Sequence, residues 1–240
     1  MLYLVLFVLV VVASGGLVLF YQPKNKVFSK LLLSFSGAYL FGLIFLHLLP
    51  EIYADPAPNI GLYVLLGFVL QLGLDYISKG IEHGHAHHHG SKFPIAIFIG
   101  LCLHSFFEGM PVMHHDHVNH HNHSGNLLMN HSLIWGIMIH KIPIAMVLSG
   151  LLRQQFNISK SLLLLTLFAV TLPLGSGTSV LLSQYIDNVA AFEHIVLALV
   201  IGIMLHVSTT ILYESDEAHK FNIQKVLSIL LGFIIAYFTA

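Results

Sequence analysis

The sequence predicts an all-α integral membrane protein, with eight transmembrane helices and both termini outside the cytosol. Three observations carry that prediction. Of its 240 residues 56% are apolar and only 9% are charged, with a mean hydropathy of +0.83, whereas soluble domains carry about 25% charged residues. Apolar runs near the ~20 residues that a helix needs to cross a bilayer recur eight times. Lysine and arginine are confined, with one exception, to alternate connections between those runs. The balance of 10 Lys plus Arg against 11 Asp plus Glu leaves no basic stripe for a nucleic-acid partner. The single Cys102 excludes both a disulfide framework and a thiolate metal cage.

The runs are 2–21, 31–49, 60–77, 93–113, 131–150, 161–183, 194–214 and 225–239. The first, opening MLYLVLFVLVVV, lacks the basic stretch of a cleaved signal peptide and reads as a retained span. The second closes on HLLPE, with His47, Pro50 and Glu51 at its external end. In the third, Gln71 and Asp75 share one helical face towards the cytosol. The fourth has Pro94 at its start, where a helix tolerates proline. The fifth holds Pro143 in its interior, where the missing N–H frees the Ile139 carbonyl and bends the helix. The sixth is broken by TLPLGSGTS, a small-residue stretch that permits close helix approach. The seventh carries His206, Thr210 and Glu214 at i, i+4 and i+8, and the eighth follows Lys220 and opens at Lys225. No alternating pattern of about ten residues recurs, so a barrel is disfavoured. Short connections leave no room for a soluble domain, and residues 1–240 read as a single transmembrane domain.

Charge placement gives the orientation. Lys24, Lys26 and Lys30 follow the first span, Lys79 and Lys92 flank the connection after the third, Arg153 and Lys160 follow the fifth, and Lys220 and Lys225 follow the seventh. The positive-inside rule puts these loops in the cytosol. Lys141, inside the fifth span, is the basic residue left over. Most of the 18 histidines fall in two loops. The cytosolic loop 80–92 holds His83, His85, His87, His88 and His89; the external loop 114–130 holds His114, His115, His117, His120, His121 and His123. Such tracts are compositional metal-binding signals without fixed geometry, and they suit a flexible metal buffer.

Polar groups at membrane depth need a partner or a purpose. His104 and Glu108, in LCLHSFFEGMP, lie on one helical face near the middle of the fourth span. His140, in IMIHKIPIAMV, lies near the middle of the fifth. Two imidazoles and a carboxylate at one depth form a borderline N/O donor set, suited to zinc and also to iron, manganese or cobalt. The competing reading is helix packing, with histidine bonded to a carbonyl and Glu108 paired with Lys141. His47 and Glu51 outside, and His206 and Glu214 inside, extend this centre into a polar route across the membrane.

HSFFEG and HKIPIA resemble the paired signatures of the ZIP (Zrt/Irt-like) divalent-metal transporters, roughly H-N-x-x-E-G and H-x-x-P-E-G. HLLPE, the P-x-G of span six and LHVSTTILYE in span seven extend the resemblance along the chain. It implies uptake of zinc, or of iron or manganese, into the cytosol by alternating access of a sliding helix bundle, and a homodimer. His104, Glu108 and His140 then match primary metal ligands. Ser105 stands where the family usually has Asn, a weaker oxygen ligand. Ile144 replaces an acidic residue or His, and Lys141 stands where some members place a carboxylate that helps to hold a second metal. A fixed ammonium there repels a second cation or replaces it, which implies a single-metal site completed by water. The metal is cargo, and no cofactor is expected.

Two rival readings follow from the same residues. Ile144 and Lys141 suit a metal sensor or non-transporting relative, which would bind metal without net flux. H-x-x-H-H boxes at His85/His88/His89 and His117/His120/His121 resemble those of membrane di-iron hydroxylases and desaturases. The predicted topology places these two boxes on opposite faces of the membrane, where they cannot share one centre. Minimal loops favour a bacterial inner membrane.

Overall fold

Each of the eight apolar runs folds as a helix, and the ends of the helices show what starts and stops them. The computed structural model describes residues 2–21, 26–54, 58–78, 95–112, 126–214 and 223–239. The histidines of both His-rich loops therefore lie outside the described residues. The helices are α1 (Leu2–Tyr21), α2 (Lys26–Leu43, continuing through a π-helical turn Ile44–Leu48 into Leu49–Ala54), α3 (Ile60–Ser78), α4 (Ile95–Gly109), α5 (Asn126–Gln155), α6 (Ile158–Ser183), α7 (Val189–Glu214) and α8 (Ile223–Phe238). Five of them (α1, α2, α5, α6 and α7) are long and apolar enough to cross a membrane, and α3, α4 and α8 are shorter apolar helices. No strand occurs among the described residues.

Several boundaries depart from the sequence prediction for local reasons. Helix α4 stops at Gly109 rather than 113 and passes into a turn closed by Val112 N–H to Gly109 O at 3.2 Å. Pro111 disfavours helical geometry at Met110. Helix α5 starts at Asn126, so residues 126–130, expected in the external loop, belong to it; no Gly or Pro stands between Asn126 and the apolar stretch that opens at Leu133. Helix α7 begins at Val189, five residues before its predicted start, because the Asn188 side chain accepts the Ala191 N–H at 3.0 Å and caps it. Asn157 caps α6 in the same way, accepting the Lys160 N–H at 2.9 Å.

The π turn in α2 also has a covalent cause. Pro50 has no N–H and its ring crowds the carbonyl four residues earlier, which is that of Leu46. Just before it the helix widens, with the Leu49 N–H reaching back to Ile44 O. A π turn of this kind is common where a helix must present a side chain off its regular register, and here it carries His47.

Packing sorts the helices into two groups. Helix α3 packs on α7, and α2 packs on α8 and α7; α1 packs on α5 and α6, and α4 packs on α6. Glycine makes the closest of these approaches possible. A Cβ on Gly67 would strike the Leu199 carbonyl of α7, and one on Gly202 would strike the Val64 carbonyl of α3. Gly109 and Gly175 form the corresponding pair between α4 and α6, against the Leu172 and Phe106 carbonyls. In lipid, such small-residue contacts supply the van der Waals packing that replaces hydrophobic burial as the glue between helices. The two groups meet where α3 touches α4 and where α2 touches α5. The second meeting is apolar, with Leu43, Tyr39 and Leu40 surrounding Gly136.

Candidate metal site

The site forms where α3, α4, α5 and α6 converge. Helix α4 presents His104 and Glu108 one turn apart, with His104 Nε2 3.0 Å from Glu108 Oε1. Helix α5 presents His140 and Lys141, and Lys141 Nζ lies 2.6 Å from Glu108 Oε2. All four side chains are fully buried. The two imidazoles face each other edge to face, with ring centroids 6.2 Å apart. One donor atom from each of His104, Glu108 and His140 lies within 4.8 Å of the others. A tetrahedral zinc with bonds of ~2.0 Å sets its donors ~3.3 Å apart, so an ion would draw this set inward by rotation of the side chains. Helices α4 and α5 are not close-packed neighbours here, since each lies closer to other helices, and they face each other through these side chains.

Two further contacts define the chemistry. Gln71, fully buried on α3, places Oε1 3.0 Å from His104 Nδ1. An amide oxygen only accepts, so in this arrangement Nδ1 donates and Nε2 is the atom turned towards Glu108. The ring of Phe168, on α6, lies 5.7 Å from the Lys141 ammonium, within cation–π range. Glu108 is therefore shared: one oxygen is held by a resident cation and the other faces the histidines. Helix α5 continues unbroken through Pro143. That residue has no N–H to give to the Ile139 carbonyl beside His140.

The remaining predicted residues stand apart from this centre. Ser105 is fully buried, and its Oγ has no hydrogen-bond partner among the described residues. His47, on the π turn, lies 3.3 Å from the Ala236 carbonyl and ties α2 to α8. Glu51 is half-buried and lies under the electrostatic influence of His194 on α7, a residue that no sequence pattern had marked. His206 pairs with Asp75 at 3.2 Å and takes the edge of Phe68 against its ring. The Glu214 side chain lies outside the described residues. Ile144, one turn beyond His140, is buried in the apolar core.

The surroundings differ on the two sides of the centre. One turn from Glu108 and His140, towards the start of α1, a small apolar cavity is lined by Phe7, Val112, Ile134, Ile137 and Leu172 with Tyr3 and Leu4. On the other side Gln71 leads, one turn along α3, to the partly exposed Asp75–His206 pair.

Such a donor cluster at the heart of a helical bundle is chemically able to hold a divalent metal ion. The family model of the ZIP zinc transporter matches residues 93–240. The chain belongs to the ZIP family. None of the curated proteins matches it. ZIP proteins transport divalent metal ions and are not enzymes. The matched residues span α4 to α8 and include the donor cluster; α1 to α3, with Gln71, precede them.

Proposed function

We propose that this ZIP-family protein carries zinc into the cytosol one ion at a time, through a site of His104, Glu108 and His140 in which Lys141 serves as a built-in cation. The observation that carries this reading is the convergence of three buried donors within 4.8 Å. Buried imidazoles and a carboxylate without thiolate suit zinc, with iron and manganese next. Ser105, with its buried and unsatisfied hydroxyl, supplies a weak oxygen ligand, and water completes the shell.

Charge arithmetic supports transport over storage. Glu108 and Lys141 cancel, so the frame offers no net negative charge to a dication. Binding then rests on two imidazoles and one carboxylate oxygen. That is strong enough to strip part of the hydration shell and weak enough to let the ion go, which conduction requires. Closure by apolar side chains on the α1 side, and polar continuation through Asp75 and His206 on the other, support release towards the cytosolic end. The cytosolic His loop 80–92 and Glu214 would receive the ion there, and the external loop 114–130, with His47 and Glu51, would gather it. A bacterial inner membrane is the proposed location.

The test is zinc uptake into proteoliposomes holding the full chain. His104→Ala combined with His140→Ala should abolish both uptake and high-affinity binding; uptake that survives removes the assignment. The ion pair between Lys141 and Glu108 also suits a sensor, because it satisfies the carboxylate without metal. A sensor would bind zinc in the same experiment and move none.

A further inference from the structure

We infer that Gln71 is a positioning residue of this site, holding the His104 imidazole ready for metal only while α3 is docked against α4. The inference rests on the metal site proposed above and concerns a residue outside the matched part of the chain.

The first support is the bond itself. Gln71 is fully buried, and its Oε1 lies 3.0 Å from His104 Nδ1. With Nδ1 donating, the ring has one tautomer and one orientation, and Nε2 is presented beside Glu108 Oε1. Metal-binding histidines commonly have the second nitrogen fixed in this way, and loss of that partner costs 10–100-fold in affinity or activity.

The second support is where the two residues are mounted. Helix α3 is tied to α7 by the Gly67–Gly202 approach and by the Asp75–His206 pair. Helix α4 is tied to α6 by the Gly109–Gly175 approach. The Gln71–His104 bond therefore joins two separately fastened groups of helices. At the other described meeting, around Gly136, the contacts are apolar side chains, which carry none of the directional demand of a hydrogen bond. A hydrogen bond does not slide: it is made at one register and broken at others. Displacement of α3 along α4 would remove the acceptor from Nδ1 and free the ring to turn, so site affinity would fall as the groups move. Binding and release are then linked to helix position through one amide, in the sense that a ligand shifts a conformational equilibrium only by its differential affinity for the two states.

The test compares Gln71→Leu, Gln71→Asn and Gln71→Glu in the full chain, reading equilibrium zinc binding and the KM and maximal rate of zinc uptake in proteoliposomes. Gln71→Leu, and Gln71→Asn with its shorter reach, should weaken zinc binding 10–100-fold. Gln71→Glu keeps the acceptor and strengthens it by charge, so KM and maximal rate should both fall as the ion is held longer. A merely structural residue would alter the yield of folded protein in all three variants and leave KM unchanged. In a His104→Ala background Gln71→Leu should have no further effect on binding. The inference is overturned by Gln71→Leu or Gln71→Asn binding zinc within about twofold of the unsubstituted chain, by a Gln71→Glu variant that lowers neither parameter, or by additive losses in the His104→Ala background. Should His104→Ala with His140→Ala keep normal zinc binding, the metal site itself is misplaced; should that variant lose binding while Gln71→Leu does not, the role of Gln71 alone falls.

Discussion

Lys141 Nζ lies 2.6 Å from Glu108 Oε2, with neither side chain exposed. Lys141 adjoins His140, one of the three proposed ligands, and its contact with Glu108 gives it a role. The ammonium occupies one oxygen of the carboxylate, which under the proposed function takes the place of a second cation. Lys141→Met should leave Glu108 as an uncompensated buried charge, a change that costs about 3–5 kcal/mol. Thermal unfolding in detergent should show that loss without metal and a large recovery on adding zinc. Lys141→Asp should raise bound zinc from about one ion per chain to about two, because the repelling cation becomes a ligand. Equilibrium dialysis still showing one ion per chain in that variant would exclude Lys141 as the stand-in for a second metal.

Ile144 sits one turn from His140 and is 3% exposed within the apolar core. A carboxylate introduced there would turn an electrically neutral frame into an anionic one. Ile144→Glu is expected to tighten zinc binding by roughly tenfold or more, the effect of about 1.4 kcal/mol of added attraction, and to slow turnover because release becomes harder. Measuring Kd and uptake rate on one preparation separates these effects. Faster uptake with unchanged affinity would show that charge balance does not set the release step.

The bundle was legible in the sequence because each crossing is a run of about 20 apolar residues, and so were His104, Glu108 and His140, because polar groups at that depth stand out. What escaped was set by contacts between helices. Gln71 was placed on the same face as Asp75, yet its partner is His104 on α4 while the partner of Asp75 is His206 on α7; spacing within one helix cannot show that they diverge. The Glu108–Lys141 pair, which the sequence offers as the packing reading, does form, and the donor atoms of His104, Glu108 and His140 converge beside it. His47 stands on a π turn and lies 3.3 Å from the Ala236 carbonyl, a contact between α2 and α8 that spacing along one helix does not show. The early start of α7 was written in Asn188, a cap masked by the charged Glu193 and His194 that follow it.

Metal affinity should depend on pH through the imidazoles. A proton and a zinc ion compete for the same nitrogen lone pair, so the sign is fixed: affinity falls as pH falls. Zinc uptake by the full chain should therefore decline as the medium is acidified, and the decline should appear as a rise in KM while saturating zinc restores the rate. A fall in maximal rate at unchanged KM would place the sensitive proton outside the ligand set.

The two glycines of TLPLGSGTS offer a sharper contrast, because they differ by two residues in sequence and completely in surroundings. A Cβ at Gly175 would collide with the Phe106 backbone carbonyl of α4, while one at Gly177 meets nothing within 4 Å. Backbone cannot yield as a side-chain tip can, so Gly175→Ala must push α4 away from α6. Overpacking of this kind costs about 1–3 kcal/mol, and the displaced helix carries both His104 and Glu108. Gly175→Ala should accordingly lower the unfolding temperature and weaken zinc binding together. Gly177→Ala should leave both unchanged or gain slightly, since alanine is the better helix former by up to about 1 kcal/mol. Comparable losses in the two variants would mean that the stretch serves flexibility and not close approach, and equal tolerance would mean that α4 and α6 do not meet at Gly175 in the membrane.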